Sequence, residues 1–211
     1  MKVTIIGSGN VGRALAATAV KAGHSVTLAA AHPEHARDAA MATGASAADS
    51  SSAAVRDAEV VILAVPANAM AEVAGGLSAE LEGKAVADTS NRVNPNDPGS
   101  VLDGSSMTEQ MQALVPGARF VKAFNTNFAA VMANPVVDGA PADTFLAGDD
   151  AEAKARIAEL ARSLGYRVID VGPAPMARVL EGMGLVNISL QIANGWPWQS
   201  SFRLAGPAGG A

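Results

Sequence analysis

A glycine-rich hexapeptide near the N-terminus constrains most strongly what this chain can fold into. The segment Gly7-Ser8-Gly9-Asn10-Val11-Gly12 matches the pattern G-x-G-x-x-G, follows the apolar run Val3–Ile6 and precedes an Ala/Leu-rich stretch at 11–21. In such a strand-turn-helix unit, the first glycine allows the tight turn and the second lets a pyrophosphate approach the backbone. The third glycine lets helix and strand pack closely, and the helix N-terminus adds unpaired N–H groups. The context therefore favours a dinucleotide-binding βαβ unit over a glycine turn without a ligand.

The rest of the chain repeats this alternation of β-rich runs and alanine-rich helical stretches. It predicts an α/β fold of the Rossmann type, a doubly wound, mostly parallel sheet covered by helices on both faces. Because 46 of the 211 residues are alanine, we expect a core built from small side chains. The segment from Asn94 to Ser106 is rich in Pro, Gly and Asp and is predicted to be an exposed loop. Further strands are predicted at 26–28, 59–65, 84–88, 119–124, 144–147 and 167–171, and further helices begin at Pro33 and Asp150.

Gly172-Pro173 is the predicted boundary between two parts of the chain. Residues 1–172 form the predicted NAD(P)-binding Rossmann domain, and residues 173–211 form a small C-terminal helical segment. In that segment, apolar residues recur at helical spacing while three amide side chains share another face, which predicts an amphipathic helix. The apolar set is Met176, Val179, Leu180, Met183, Val186, Leu190 and Ala193, and the amide set is Asn187, Gln191 and Asn194.

Charge and cysteine content exclude several classes of function. A net charge of −5 gives no positive field for a phosphate backbone, so nucleic acid is not an expected partner. The absence of cysteine excludes thiolate catalysis, disulfides and the common structural zinc sites. The N-terminal apolar run is too short for an export signal, and the longest uncharged stretch contains several amide side chains. We therefore expect a cytoplasmic globular protein with no membrane segment.

The residues after the second predicted strand bear on the choice of dinucleotide. An NAD site usually has Asp or Glu there to bind the ribose 2′-hydroxyl, whereas this chain has Ala29-Ala30-Ala31-His32. Since no carboxylate would repel a 2′-phosphate, NADP is permitted and NAD remains possible. His32, His35 or Arg37 would supply a positive or donor group, although both histidines also fit ordinary surface positions at a helix start.

Small or polar residues follow three strands whose carboxyl ends meet at one edge of a parallel sheet. These are Ala64-Val65-Pro66, Thr89-Ser90-Asn91 and Asn125-Thr126-Asn127. Each can hydrogen-bond a ribose or carboxamide while leaving room for rings, although each alone also fits a turn that caps a helix. Together they favour a ligand pocket.

The sequence contains no carboxylate pair, Ser/His/Asp order or metal-ligand cluster that indicates acid-base or metal catalysis. Asn125 and Lys122 are weak catalytic candidates, and we expect Lys122 to project from the sheet to solvent rather than to donate a proton. Hydride exchange can proceed by positioning alone. Trp196 and Trp198 flank Pro197 and fit either a stacking wall for a planar acceptor or a dimer contact or cover over the core.

Four segments together resemble the NADPH:coenzyme-F420 oxidoreductase family. They are Ile5–Gly12, Val60–Pro66, Val115–Thr126 and Ala177–Glu181; within them, Lys122–Thr126 is also similar to the NADPH domain of six-transmembrane ferric reductases. The resemblance covers nearly the whole chain. It implies a homodimer, an NADP-binding Rossmann domain and a C-terminal helical piece that helps to form the acceptor pocket.

The resemblance also assigns residues by position. Ser8, Gly9, Asn10 and Val11 would hold the pyrophosphate, and Ala64, Val65, Pro66, Asn91, Ala123 and Asn125 would surround the ribose and nicotinamide. Where the family usually has Ser-Arg to grip the 2′-phosphate, this chain has Ala30-Ala31. The choice between NADP and NAD therefore stays open.

The expected function is hydride transfer between NADP(H) and a small-molecule acceptor, either the deazaflavin F420 or a flavin. A second interpretation is reduction of a small imine or keto acid, as in pyrroline-5-carboxylate reductases. Enzymes of that kind need a large helical domain after the Rossmann fold, and only residues 173–211 remain here. A third is a non-catalytic NAD(P)-binding sensor that signals through its dimer surface.

Overall fold

A computed structural model describes residues 1–94 and 97–206 of the chain, and in it a central eight-stranded sheet is covered by helices on both faces. The strands are β1 Lys2–Ile6, β2 Ser25–Ala29, β3 Ser46–Ala47, β4 Val60–Leu63, β5 Ala85–Asp88, β6 Arg119–Lys122, β7 Val136–Val137, β8 Ala140–Pro141, β9 Asp143–Ala147 and β10 Arg167–Gly172. The helices are α1 Asn10–Lys21, α2 Pro33–Thr43, α3 Ser51–Val55, α4 Met70–Gly76, α5 Met107–Leu114, α6 Ala129–Ala133, α7 Ala151–Ser163 and α8 Ala177–Asn194. Short 3-10 helices lie at Ala67–Ala69, Pro98–Leu102 and Ala174–Met176.

The strand order across the large sheet is β3-β2-β1-β4-β5-β6-β9-β10. Strands β1 to β6 are parallel, β9 is antiparallel to β6, and β10 is parallel to β9. The order reverses at β1, which pairs with β2 on one side and β4 on the other, so a crevice opens there at the carboxyl ends of the strands. The predicted doubly wound, mostly parallel Rossmann fold is confirmed.

Apolar clusters on the two faces of the sheet form the core. One contains Ile5, Leu15 and Leu28, and the other contains Leu63, Met70 and Phe120. Many of the remaining members are alanines, which lets the helices lie close to the strands. A third, smaller cluster joins Phe145 of β9 to Leu180 of α8, so the C-terminal helix packs beside the antiparallel end of the sheet.

The segment between β5 and α5 is mostly exposed, as predicted, but part of it is helical and packs on the protein. Pro95 and Asn96 lie outside the described residues, but the rest contains a 3-10 helix in which Val101 is buried. Arg92 donates to the carbonyl oxygens of Val101 and Asp103, and these hydrogen bonds draw the backbone against the protein. The prediction of an exposed loop is therefore confirmed for most of this part, and Val101 is buried because a charged side chain outside the segment satisfies its carbonyls.

The predicted division of α8 into an apolar face and an amide face was wrong, because its buried side combines Leu180 with Asn187 and Gln191 and leaves Asn194 exposed. Asn187 and Gln191 are buried, whereas Val186 is 50% exposed and Val179 and Leu190 are also exposed. An apolar stripe on a surface helix normally faces the core. Here the buried amides are satisfied by distant groups: Asn187 donates to the Thr126 carbonyl, and Gln191 donates to the Ser200 hydroxyl.

Candidate functional site

A cleft of about 360 Å³ opens at the switch point, beside the carboxyl ends of β1 and β4. It brings together most of the residues that the sequence predicted to bind a dinucleotide. Its lining is Ile6, Gly7, Ser8, Gly9, Ala30, Ala31, His32, His35, Ser51, Ala64, Val65, Pro66, Ala69 and Val73.

The glycines of the phosphate-binding loop have different structural roles. Gly7 has φ +119°, and a Cβ there would lie 2.3 Å from the Ala64 carbonyl oxygen. A Cβ on Gly12 would lie 1.9 Å from the Gly7 carbonyl oxygen. Both positions are therefore restricted to glycine by the packing of the loop itself. A Cβ on Gly9 would meet nothing within 4 Å, so the space over Gly9 is open to a ligand.

Helix α1 begins at this loop and directs its positive end toward the cleft. Gly9 is the N-cap residue and has no side chain to cap the first turn, so N–H groups there lack an intrahelical partner. Arg13 donates from Nε to the Ser8 carbonyl at 2.9 Å, which holds the loop in place. Asn10 is exposed at the first position of α1, and Val11 is half-buried against the core. This geometry suits a pyrophosphate.

The other end of the cleft carries the residues after β2. Among the described residues that line the cleft, the titratable side chains are His32 and His35, whose rings meet edge to face at 5.3 Å. Arg37 is not in the lining, and its guanidinium binds Asp49 at 2.6 Å. The two histidines, rather than Arg37, are thus placed to meet a group at this end.

Asn91 and Asn125 form a reciprocal pair beyond the cleft lining. Asn91 Nδ2 donates to the Asn125 carbonyl oxygen at 2.8 Å, and Asn125 Nδ2 donates to Asn91 Oδ1 at 2.7 Å and to the Leu180 carbonyl at 2.9 Å. These contacts fix the orientation of both amides. Asn125 Oδ1 is buried without a hydrogen-bond partner, which is costly for a polar atom unless a ligand supplies a donor.

Ala123 lies at the end of β6 between these elements. Its side chain is fully buried in the core, and its backbone N–H donates to the Asp88 carbonyl at 3.0 Å. Phe124 next to it has φ +64°, a left-handed conformation that turns the chain sharply after the strand. Ala123 therefore packs in the core at the end of the strand and does not line the cleft.

Lys122 is fully buried, so the prediction that it projects to solvent was wrong. Its Nζ lies 2.7 Å from Asp88 Oδ2 and 2.9 Å from Glu181 Oε1, and it donates to the Ser90 carbonyl at 2.8 Å. Because β6 is covered on both faces, a lysine there has no route to water and needs partners. Sequence reasoning missed Asp88 and Glu181 as members of the site. A signal was available, since Asp88 ends the neighbouring buried strand and is the register partner of Lys122.

The two tryptophans lie apart from the cleft lining. Trp196 is 45% exposed and Trp198 is 44% exposed, and the Trp198 ring meets the ring of Phe128 edge to face at 5.1 Å. The backbone N–H of Trp198 donates to Gln191 Oε1 at 2.9 Å. Phe128 follows the polar strand end Asn125–Asn127, so Trp198 reaches the side of the site formed by the end of β6.

A surface ion pair ties α5 to the start of α8. Arg178 donates to both oxygens of Glu109, at 2.8 Å and 2.6 Å. Glu109 also accepts hydrogen bonds from the Ser106 N–H and hydroxyl in a capping box. The Arg178 guanidinium, together with the Ser106 donors, lowers the pKa of Glu109 to about 2 against the opposing effect of partial burial.

In the described ranges 1–94 and 97–206, no helix combines the length and apolar character needed to cross a bilayer. Within those same ranges, no three His, Asp or Glu side chains come together in an arrangement that would hold a metal ion.

A doubly wound sheet with a G-x-G-x-x-G loop at its switch point defines a dinucleotide-binding Rossmann protein. Residues 2–92 match the sequence profile of the family described as NADP oxidoreductase, coenzyme F420-dependent. These residues therefore resemble the F420-dependent NADP oxidoreductases, and relatives that match nearly the whole chain are NADP reductases.

Three relatives agree with this assignment. The F420-dependent NADP reductase of Methanothermobacter marburgensis is 29% identical over 215 residues, covering 92% of this chain and 94% of the reductase. The metalloreductase STEAP3 of Rattus norvegicus is 32% identical over 185 residues; the match covers 87% of this chain but only 36% of STEAP3. The crystal structure of a candidate F420-dependent NADP reductase from Arthrobacter sp. FB24 has a TM-score of 0.86 and 29% identity, covering 97% of this chain and 99% of that one.

Proposed function

We propose that this protein transfers a hydride between NADP(H) and the deazaflavin F420. The observation that carries the proposal is the open space over Gly9 in the switch-point cleft, where a Cβ would meet nothing within 4 Å. The choice of F420 over a flavin is supported by the Methanothermobacter marburgensis reductase, which this chain matches over 94% of its length. In this proposal the protein works in the cytoplasm, and its partners are small molecules.

The phosphate loop holds the pyrophosphate in this proposal. Ser8, Gly9, Asn10 and Val11 present backbone N–H groups at the positive end of α1, and Gly7 and Gly12 keep the loop closed. Ala64, Val65 and Pro66 form the opposite wall of the cleft, against the ribose of the nicotinamide half. The small side chains leave room for the sugar.

The 2′-phosphate of NADP binds at the other end of the cleft. Ala30 and Ala31 leave space there, and His32, His35 and Ser51 supply donors. No carboxylate is found among the described residues of the lining, so a phosphate meets no like charge in the cleft. NADPH is therefore the preferred nucleotide, and NADH is accepted less well.

The nicotinamide ring lies against the Asn91–Asn125 pair. Asn125 Oδ1 is the buried acceptor that lacks a protein donor, and a carboxamide N–H of the nicotinamide satisfies it. Asn91 holds the Asn125 amide in the orientation that leaves this oxygen free. Asn125 is thus a binding and orienting residue, and Lys122, which is fully buried and fully engaged, does not donate a proton.

The chemistry comes from the nucleotide and the acceptor. A hydride leaves the reduced nicotinamide and reduces the deazaflavin, which takes up one proton to complete the balance. The protein contributes proximity and orientation of the two rings. Trp196 and Trp198, together with the helical segment that begins at residue 173, form the acceptor side, where their exposed indole faces stack on a planar ring.

The functional unit in this proposal is a homodimer formed through α8. Val179, Met183, Val186 and Leu190 are spaced as in a heptad seam, and Arg178 and Glu181 are the charged residues of this helix. A stripe of this kind, exposed and without charge, is typical of a helix that packs on a second copy of itself. Residues 173–211 then serve both the acceptor pocket and the dimer.

The test is anaerobic oxidation of NADPH by the purified protein, with NADH in parallel and with F420, FMN, FAD or no acceptor. We expect turnover with F420 and faster oxidation of NADPH than of NADH. Turnover with FMN or FAD but not F420 would overturn the choice of acceptor. Tight NADPH binding without turnover on any of these acceptors would overturn the reaction and favour reduction of a small imine or keto acid, or a sensor.

A further inference from the structure

Three buried charged side chains and one half-buried arginine join the ends of β5 and β6 to the C-terminal helix. We call Asp88, Arg92, Lys122 and Glu181 the buried ion network. The side chains of Asp88, Lys122 and Glu181 have no exposed surface, and that of Arg92 is 17% exposed. Two acids and two bases make the network electrically balanced.

Every hydrogen-bonding group of the central ammonium is used. Lys122 has three N–H donors and three acceptors within 2.9 Å: Asp88 Oδ2, Glu181 Oε1 and the Ser90 carbonyl. An ammonium on β6 with three partners, two at or just after the end of β5 and one on α8, has one allowed position. The network therefore fixes the end of β5, the end of β6 and α8 relative to one another.

The carboxylate oxygens of Asp88 and Glu181 also accept further hydrogen bonds. Asp88 Oδ1 accepts from the N–H and the hydroxyl of Ser90, and Asp88 Oδ2 accepts from the Thr108 hydroxyl. Glu181 Oε1 also accepts from the Met107 N–H at 2.8 Å. Stability alone does not explain such a network, since replacing buried ion pairs by apolar groups is often neutral or stabilising.

The network fixes the two residues that flank Asn91 in the sequence. Ser90, on one side, is bound by Asp88 and Lys122. Arg92, on the other side, donates from Nε to Glu181 Oε2 at 2.7 Å. The Asn91 side chain then binds Asn125 and lies against α8 at Gly184, where a Cβ would be 2.5 Å from Asn91 Oδ1.

We propose that the buried ion network is a positioning device that orients the Asn91–Asn125 pair against the nicotinamide and thereby sets the geometry of hydride transfer. This inference rests on the proposed function. The ion pairs and side-chain hydrogen bonds of the network do not involve the phosphate loop, which in the proposed function supplies most of the affinity for the nucleotide. Its loss therefore lowers the rate of hydride transfer more than the affinity for NADPH.

The test is the double variant Lys122→Met/Glu181→Gln, which removes one positive and one negative charge and leaves Asp88 and Arg92, whose ion-pair partners are the two replaced residues. It keeps the charge balance but loses the ammonium that holds the Ser90 carbonyl. We expect a folded protein whose NADPH dissociation constant stays within about threefold of wild type and whose kcat with F420 falls about 10- to 100-fold. The deuterium isotope effect on kcat with 4-deuterated NADPH should rise, because hydride transfer becomes slower than the other steps.

The matched control is Arg119→Met/Glu152→Gln, an ion pair of 2.9 Å at the opposite end of β6. It likewise replaces one basic residue by Met and one Glu by Gln, away from the cleft, and we expect wild-type kcat and isotope effect. If the Lys122/Glu181 double variant does not fold, Arg92→Lys keeps the charge but loses donors to the Val101 and Asp103 carbonyls. For that variant we expect a fall in kcat of about three- to tenfold.

The outcomes separate the two proposals. If the wild type is active and the network variants have the same kcat and isotope effect as the wild type, the positioning role is wrong. A loss of NADPH affinity with kcat retained would also overturn it, because the network would then serve binding only. A wild type that does not turn over with F420 would overturn the proposed function, and this inference with it.

Discussion

Glu181 Oε1 on α8 lies 2.9 Å from Lys122 Nζ at the end of β6, so the C-terminal helix and the central sheet share a buried charge pair. Both side chains are fully buried. The helix therefore contributes to the interior of the nucleotide-binding fold and is not a detachable appendage.

Removing one charge of this group leaves the others unbalanced. In Lys122→Met, Asp88 and Glu181 remain buried with Arg92 alone, and we expect a loss of about 3–5 kcal/mol in the free energy of unfolding. As a control, Lys154→Met removes a pair with Asp170 that is half exposed, and should cost about 0–1 kcal/mol. Urea denaturation followed by circular dichroism measures both, and equal effects would contradict the role of burial.

Substitutions at the loop glycines should distinguish an effect on protein stability from an effect on NADPH binding. Gly9→Val adds atoms where a Cβ has open space, so we expect a stability loss below about 1 kcal/mol. The same side chain blocks the approach of the pyrophosphate and should weaken NADPH binding at least about tenfold. Gly12→Ala instead places a Cβ 1.9 Å from a backbone oxygen and should cost about 1–3 kcal/mol. Thermal unfolding and NADPH titration distinguish the two; a Gly9→Val variant with normal NADPH affinity would refute the assignment of the loop.

The strand-turn-helix unit could be predicted from sequence because its determinants are local. Gly7 is required by a positive φ, and Gly12 by a contact five residues away in the same loop. Strands β1, β4 and β5 are recognisable as apolar runs because they are buried on both faces. The order of these elements then leaves few topologies to choose from.

The burial of Lys122 and the orientation of α8 depend on partners that are distant in the sequence. Local sequence patterns therefore could not predict them. A lysine in a strand is normally exposed, and it is buried here only because Asp88 and Glu181 arrive from two other elements. The periodicity of α8 predicts two faces, but periodicity does not tell which residues meet the core. Asn187 and Gln191 face inward because Thr126 and Ser200 supply their partners, whereas Asn194 is exposed.

Substitution at the end of β2 should change the choice of nucleotide. Ala31 is exposed in the cleft, and Ala31→Arg adds a guanidinium where the 2′-phosphate is proposed to bind. We expect NADPH to bind about 10-fold more tightly, since a charge-assisted hydrogen bond contributes about 1.5–3 kcal/mol. NADH, which lacks the 2′-phosphate, serves as the control and should bind as in wild type. An equal gain for both nucleotides would place the 2′-phosphate elsewhere.

The Glu109–Arg178 pair predicts an acid-sensitive contact between α5 and α8. The folded-state pKa of Glu109, about 2, lies below its ordinary value of 4.5, so the ionised carboxylate stabilises the fold. This stabilisation is fully present above about pH 4.5 and is lost as the pH falls through about 2. Glu109→Gln should therefore lower the urea midpoint at pH 7, and its difference from wild type should shrink between pH 4.5 and 2. Glu72→Gln, on the exposed side of α4, is the control; a Glu109 difference that does not change with pH would contradict the linkage.

The exposed stripe of α8 is the dimer contact in the proposed function, and this can be tested by a charge substitution. Val186 is 50% exposed at the centre of the stripe, and in a symmetric dimer each copy would bury it against the other. Val186→Glu places like charges at the centre of that contact, so we expect a dimer for wild type and a monomer for the variant by light scattering after size-exclusion chromatography. Met41→Glu is the matched control, because Met41 is 79% exposed on α2 and adds the same charge outside the proposed interface. A wild type that is monomeric, or a Val186→Glu variant that stays dimeric, would show that α8 is not the contact.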